Sequence, residues 1–234
     1  MSICRGLFIT GTDTGVGKTY VGALVARQLV AQGRKVGVYK PVASGCRQEG
    51  AQVISEDALA LWEAAGRPGD LERVCPQRFL APLAPPLAAQ AEGRQVDARL
   101  LRSGLLYWLD RSEIVLVEGA GGLFSPVSNQ DLVADLAADF GFPLVVVSRN
   151  VLGTINHTLL TVRAAQQFRV PLRVAGIVLN CPNVPPDDQS LASNPAQLAR
   201  WCDVPLLAQV AWQAEALDRT VDWFALAGEP CFRL

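Results

Sequence analysis

Apolar and polar positions along the chain alternate between two regimes. Short, near-continuous apolar runs of strand length are separated by longer stretches in which apolar residues recur at helical spacing. The first strand is predicted at Gly6–Thr10 and a helix at Lys18–Gln32. Within that helix Val21, Leu24, Val25 and Leu29 fall at i, i+3, i+4 and i+8 on one stripe, and Gly33 follows where a helix C-terminus favours glycine. Lys35–Lys40 reads as a second strand, broken by Pro41. Further helices are predicted at Ser55–Ala65, Asp97–Asp110, Asp131–Phe140, Thr154–Phe168 and Pro195–Trp201. Further strands are predicted at Ile114–Val117, Pro143–Val147, Val174–Leu179 and Leu206–Val210. Pro76–Pro86 reads as a Pro-rich connection and Pro182–Pro195 as a mobile loop.

Apolar strands separated by helices indicate a mainly parallel sheet covered on both faces. The expected architecture is therefore one doubly wound α/β domain spanning residues 1–234. In such sheets ligands bind beyond the carboxyl ends of the strands, so the chemistry is expected just after each strand.

Composition narrows the chemistry. Half of the 234 residues are hydrophobic and 18% are charged, which excludes a disordered chain. With 21 Lys+Arg against 22 Asp+Glu there is no basic surplus for a nucleic-acid partner. No apolar run reaches the ~18 residues that a membrane span needs. The six cysteines form no C-x-x-C pair, and with one histidine they suggest reduced thiols rather than zinc ligands. A cytoplasmic location is expected. Only three lysines are present, Lys18, Lys35 and Lys40, so where they sit matters.

After the first strand comes Thr10-Gly-Thr-Asp-Thr-Gly-Val-Gly-Lys-Thr19, leading directly into a helix. A glycine-rich turn in that context points backbone N–H groups and a helix N-terminus at phosphates. Lys18 would reach the β- and γ-phosphates and the Thr19 hydroxyl would bind Mg²⁺, the arrangement of P-loop NTPases. Partition-type ATPases carry a lysine early in this loop; here that position is Asp13.

Lys40 ends the second strand ahead of Pro-Val-Ala-Ser-Gly45, placed to neutralise a transferring phosphoryl group. Glu118 ends another strand, in Val-Glu-Gly-Ala-Gly-Gly, and could hold Mg²⁺ opposite Thr19. Asp57 lies at a helix start, either completing that metal shell or simply favouring a first helical turn.

Taken together, GTDTGVGKT, YKPVASG, SEDALAL, VEGAGG and LGTINHTLLT, in this order and spacing, resemble the dethiobiotin synthetase family. The likeness is dense over residues 1–162 and thinner afterwards. It implies closure of a ureido ring on 7,8-diaminononanoate with CO2 or bicarbonate, ATP and Mg²⁺, in a homodimer. It implies that Thr19, Asp57 and Glu118 bind the metal and that Gly15, Val16, Gly17, Lys18, Thr19 and Tyr20 hold the triphosphate. Gly119, Ala120, Gly121 and Cys181 would border the nucleotide, and Asn180 would read the adenine. Lys40 is the implied active-site lysine, and Thr14 and Ser44 the diamine-site residues. Gly153, Thr154, Ile155 and Asn156 would grip the substrate carboxylate across the dimer interface. The implied chemistry runs through a carbamate and a carbamic–phosphoric anhydride. Departures from the family are Gly15, where some members have Glu, and Ala211-Trp212 in place of Pro-Trp. Arg149 and Asn150 differ from other members and acquire no role from the resemblance. His157 reads as an interface-helix residue rather than a catalyst, and Trp62, Trp108, Trp201 and Trp223 as packing.

Overall fold

The computed structural model describes residues 4–181 and 188–230. The chain opens with strand β1 (Arg5–Gly11), helix α1 (Lys18–Ala31) and strand β2 (Val36–Tyr39). An excursion follows through β3 (Val42–Ala43), β4 (Arg47–Glu49), β5 (Gln52–Ile54), α2 (Glu56–Ala64), α3 (Leu71–Val74), β6 (Gln77–Arg78), α4 (Pro85–Ala91), α5 (Ala98–Ser103) and α6 (Leu106–Leu109). Then come β7 (Ile114–Glu118), α7 (Val133–Phe140), β8 (Leu144–Arg149), α8 (Thr154–Gln166), β9 (Val174–Asn180), α9 (Ser190–Trp201), β10 (Leu206–Val210) and α10 (Trp223–Leu226).

Six strands form one parallel sheet in the order β10-β9-β8-β1-β7-β2. β3–β6 and the antiparallel β4–β5 hairpin form two small satellites. The sheet is apolar on both faces because helices cover both. Phe8 of β1 packs on Phe140 of α7, ring centroids 6.2 Å apart. The next residue, Ile9, faces α1 at Gly22. The core includes Trp108 and Trp223, 1% and 0% exposed, so these two read correctly as packing. Trp201 does not: it is 58% exposed on α9, its indole N–H donating to Gln197.

Three predicted elements change shape. The helix expected over 97–110 is two helices. Tyr39 is buried under the break, and its hydroxyl donates to the Leu100 and Leu101 carbonyls, 2.9 Å from each. The Leu105 N–H turns to Arg102 instead of Leu101. A side chain at Gly104 would sit 2.4 Å from that tyrosine hydroxyl, so glycine permits the approach. The Pro-rich stretch holds β6 and leads into α4, which has prolines in its first turn, where a missing N–H is harmless. The loop expected over 182–195 lies partly outside the described residues, but its last part is helical: α9 starts at Ser190 and runs through Pro195.

Four of the cysteines, Cys4, Cys46, Cys75 and Cys202, are buried and free; Cys181 is free and half-buried. Cys231 lies outside the described residues. No described helix is long and apolar enough to cross a membrane.

Candidate functional site

The carboxyl ends of β1, β7 and β2 bring together groups that are far apart in sequence. After β1, Gly15 and Gly17 take positive φ angles of 72° and 93°, bending the loop into the start of α1. A side-chain carbon on Gly17 would lie 2.0 Å from Asn180 Nδ2, so the position accepts only glycine. The Lys18 ammonium donates to the Asp13 carbonyl at 3.1 Å, and the Asp13 carboxylate accepts the Thr14 N–H at 2.7 Å. These bonds hold the loop as a cradle of backbone donors.

Thr19, in the first turn of α1, donates its hydroxyl to Glu118 Oε1 at 2.9 Å. Glu118 ends β7 and is 1% exposed. Lys40, just past β2 and 3% exposed, forms ion pairs with Glu118 and with Asp57 Oδ2, the latter at 2.8 Å. Asp57 is half-exposed in the first turn of α2, a helix capped by Ser55 accepting the Ala58 N–H at 3.2 Å. The cap fixes where that turn begins and so aims Asp57 at Lys40.

Burial disfavours the charged form of Lys40, but Glu118 and Asp57 outweigh it and hold its ammonium above the ordinary lysine range. Burial acts on Lys18 in the same sense, and with Lys40 nearby its ammonium lies below the ordinary range. Burial opposes ionisation of Asp57 too, yet Lys40 dominates and keeps its carboxyl below the usual value. Among the described residues two buried side-chain atoms have no hydrogen-bond partner, Thr10 Oγ1 on β1 and, at this site, Glu118 Oε2. An orphaned carboxylate oxygen beside a hydroxyl and a second carboxylate suits a hard cation. Among the described residues no group of three or more His, Cys, Asp or Glu is arranged to hold a metal ion. Two carboxylates and a hydroxyl nevertheless suffice for Mg²⁺, which keeps several waters and shares substrate phosphates.

A cavity of about 380 Å³ opens here, lined by Thr14, Gly15, Gly17, Lys18, Thr19, Tyr20, Lys40, Ser44, Asp57, Glu118, Ala120 and Gly121, with Ala43. A second cavity of about 510 Å³ shares Thr14, Ser44, Ala120 and Gly121 and continues to Pro82, Pro85 and Ser125. Val16 is buried beneath the loop, and the Gly119 N–H bonds the Ile9 carbonyl at 3.0 Å. Asn180 and Cys181 line neither cavity. Asn180 instead braces the loop, donating to the Val16 carbonyl at 2.9 Å. Gly153, Thr154, Ile155 and Asn156 also lie outside both cavities, at the start of α8. There Thr154 is buried, its hydroxyl 2.8 Å from Ser148 Oγ and its N–H bonded to Val151. His157 is exposed on α8 and Lys35 is exposed ahead of β2.

A family model described as an AAA domain matches residues 5–219. ATP-dependent dethiobiotin synthetase BioD of Rhodopirellula baltica is 46% identical over 215 residues, covering 87% of this chain and 82% of that protein. The BioD of Anaeromyxobacter dehalogenans strain 2CP-C is 44% identical, covering 92% and 93% respectively. The chain belongs to the ATP-dependent dethiobiotin synthetase family. Membership in this synthetase family agrees with the P-loop architecture and the ATP-dependent ligase class expected from the motifs. Among solved structures, a ParA family ATPase from Chlorobium tepidum is similar with a TM-score of 0.51 at 14% identity, over 92% of this chain and 86% of that one. That likeness concerns the fold alone.

Sequence reasoning missed part of the synthetase's second cavity. Pro82, Leu83, Ala84 and Pro85 form a wall of it, and only the proline density hinted that the stretch was shaped. It also missed that the Tyr20 hydroxyl donates to the Ala214 carbonyl, tying the segment after β10 to the rim of the first cavity.

Proposed function

We propose that this chain converts 7,8-diaminononanoate, CO2 and ATP into dethiobiotin, ADP and phosphate. The observation that carries the reading is the meeting of Thr19, Lys40, Asp57 and Glu118 above the phosphate loop, with Glu118 Oε2 left unpaired.

In this reading one substrate amine loses a proton and takes up CO2 as a carbamate, and a carbamate oxygen attacks the γ-phosphorus and expels ADP. The second amine then attacks the carbonyl carbon of the resulting anhydride, losing a proton and displacing phosphate to close the ring. The loop from Gly15 to Thr19 binds the triphosphate through backbone donors and Lys18. Lys40 acts as a fixed positive charge: two carboxylates keep it protonated, so it stabilises charge gathering on the carbamate and γ-phosphoryl oxygens rather than removing a proton. Thr14 and Ser44 are assigned to orienting the diamine, a role supported by their lining both cavities. Positioning and charge neutralisation carry most of the work, which suits a site without histidine. Thr19, Asp57 and Glu118 would hold Mg²⁺, whose contribution is neutralisation of phosphate charge.

Gly153–Asn156 are assigned to the substrate carboxylate, Asn180 to the adenine and Cys181 to the nucleotide. A homodimer joined at α8 is supported by the exposure of Leu152 and Leu160, 83% and 61%. A single catalytic domain in the cytoplasm completes the reading. The test is incubation with ¹³C-bicarbonate, ATP, Mg²⁺ and the diamine, followed by mass spectrometry. A product carrying one ¹³C in its ureido carbon is expected; unconverted diamine beside spent ATP would overturn the assignment.

A further inference from the structure

Asn150 immediately follows β8, is 2% exposed, and has no part in the reaction above. Its hydrogen bonds join two other segments, α9 and the end of β9. Oδ1 accepts from Asn194 Nδ2 of α9 at 2.8 Å. Nδ2 donates to the Leu191 carbonyl at 3.3 Å and to Cys181 Sγ at 3.4 Å. The Asn150 N–H donates to the Asn180 carbonyl at 2.8 Å.

Pro195 explains why the Leu191 carbonyl is open. In a regular helix that oxygen would accept the N–H of residue 195, and proline has none. Asn150 supplies the missing donor from outside the helix. Asn194 closes the arrangement by donating also to the Val151 carbonyl at 3.2 Å. The turn held in this way runs directly into Gly153, at φ 95°, and the start of α8. On the other side, Asn180 reaches the phosphate loop through Val16. Leaving a buried amide without partners is costly, so the pair fixes one arrangement of these segments.

We propose that the Asn150–Asn194 pair is a positioning device that couples the nucleotide edge at Asn180 to the α8 start that receives the diamine carboxylate. The proposal rests on the function given above. Nucleotide that steadies the end of β9 steadies the 150–153 turn through these bonds, and the diamine then meets a preformed α8 start. By linkage the diamine tightens nucleotide binding by the same factor.

Calorimetric titration of 7,8-diaminononanoate into the full chain, with and without Mg²⁺ and a β,γ-imido analogue of ATP, tests this. In the wild type the analogue is expected to tighten diamine binding by about fivefold or more. In Asn150→Ala and Asn194→Ala that ratio should fall to about one, while the analogue binds alone within about threefold of wild type. A pair that served only stability would lower the melting temperature and leave the ratio at its wild-type value, which overturns the proposal. So does a wild-type ratio of one. If Asn150→Ala does not fold, Asn194→Ala decides by the same ratio. Failure of the wild type to bind diamine at all would overturn the proposed function together with this inference; binding with an undiminished ratio in the variants would overturn this inference alone.

Discussion

Lys40→Met is the substitution whose consequence can be worked furthest. Methionine is close to lysine in length, so the change removes charge with little loss of volume. Lys40 and Glu118 are 3% and 1% exposed, and deleting one partner of a buried ion pair costs about 3–5 kcal/mol because the other charge stays uncompensated. The pair with Asp57 adds little, since that side chain is 48% exposed. Thr19 still donates to Glu118 Oε1 in the variant, which favours the lower end, about 3 kcal/mol. For a chain of this size that corresponds to a melting temperature lower by roughly 6–12 °C. Thermal unfolding at pH 7, without nucleotide or Mg²⁺, reads it directly. The double variant Lys40→Met/Glu118→Leu should recover most of the loss, because an apolar pair of similar volume replaces a buried ion pair at little net cost. A single variant melting within 2 °C of wild type, or a double variant no better than the single, would refute the reasoning.

Three further outcomes follow from the same geometry. Thr19→Val removes a hydroxyl from the proposed metal shell, so Mg²⁺ should tighten ATP binding roughly tenfold less than in wild type, with metal-free binding unchanged; fluorescence titration with and without Mg²⁺ checks it. Gly17→Ala combines a φ of 93° with a 2.0 Å approach to Asn180 Nδ2, and its strain of about 1–3 kcal/mol should weaken ATP binding by about 5- to 150-fold; unchanged binding would show that the loop relaxes easily. Asp57 and Asp131 both have depressed pKa values. For Asp131, burial opposes ionisation but Arg102 and Ser128 outweigh it. Groups lowered in the folded state stabilise above their unfolded pKa, so stability should be flat from pH 6 to 5 and fall as pH drops below about 4. Unfolding scans between pH 3 and 6 measure this, and Arg102→Ala should flatten the acid limb.

The sheet was legible because each of its strands is a continuous apolar run, which no exposed loop would carry. The Gly15–Thr19 loop and Glu118 were legible in position because they follow or end apolar strands, whereas Asp57, at a helix start, was left open between a metal ligand and a first-turn acid. What escaped depends on contacts between distant residues. The break at Gly104 follows from the hydroxyl of Tyr39, 65 positions earlier, and no local period encodes it. α9 was misplaced because Pro195 signals a helix start from sequence, whereas Asn150 fills the gap it leaves in a helix begun at Ser190. Trp201 looks like packing by type but lies on the solvent side of α9. The partnership of Lys40 with both carboxylates was likewise invisible, since the sequence placed each at a strand or helix end without showing that they touch.

The central claim is that this arrangement of lysine, carboxylates and phosphate loop serves ring closure rather than nucleotide hydrolysis for its own sake. Phosphate release from ATP, measured with the diamine and bicarbonate supplied separately and together, tests it most directly. The account predicts rapid release only when both are present, and loss of that release in Lys40→Gln with ATP still bound. Release at the same rate without the diamine would contradict it.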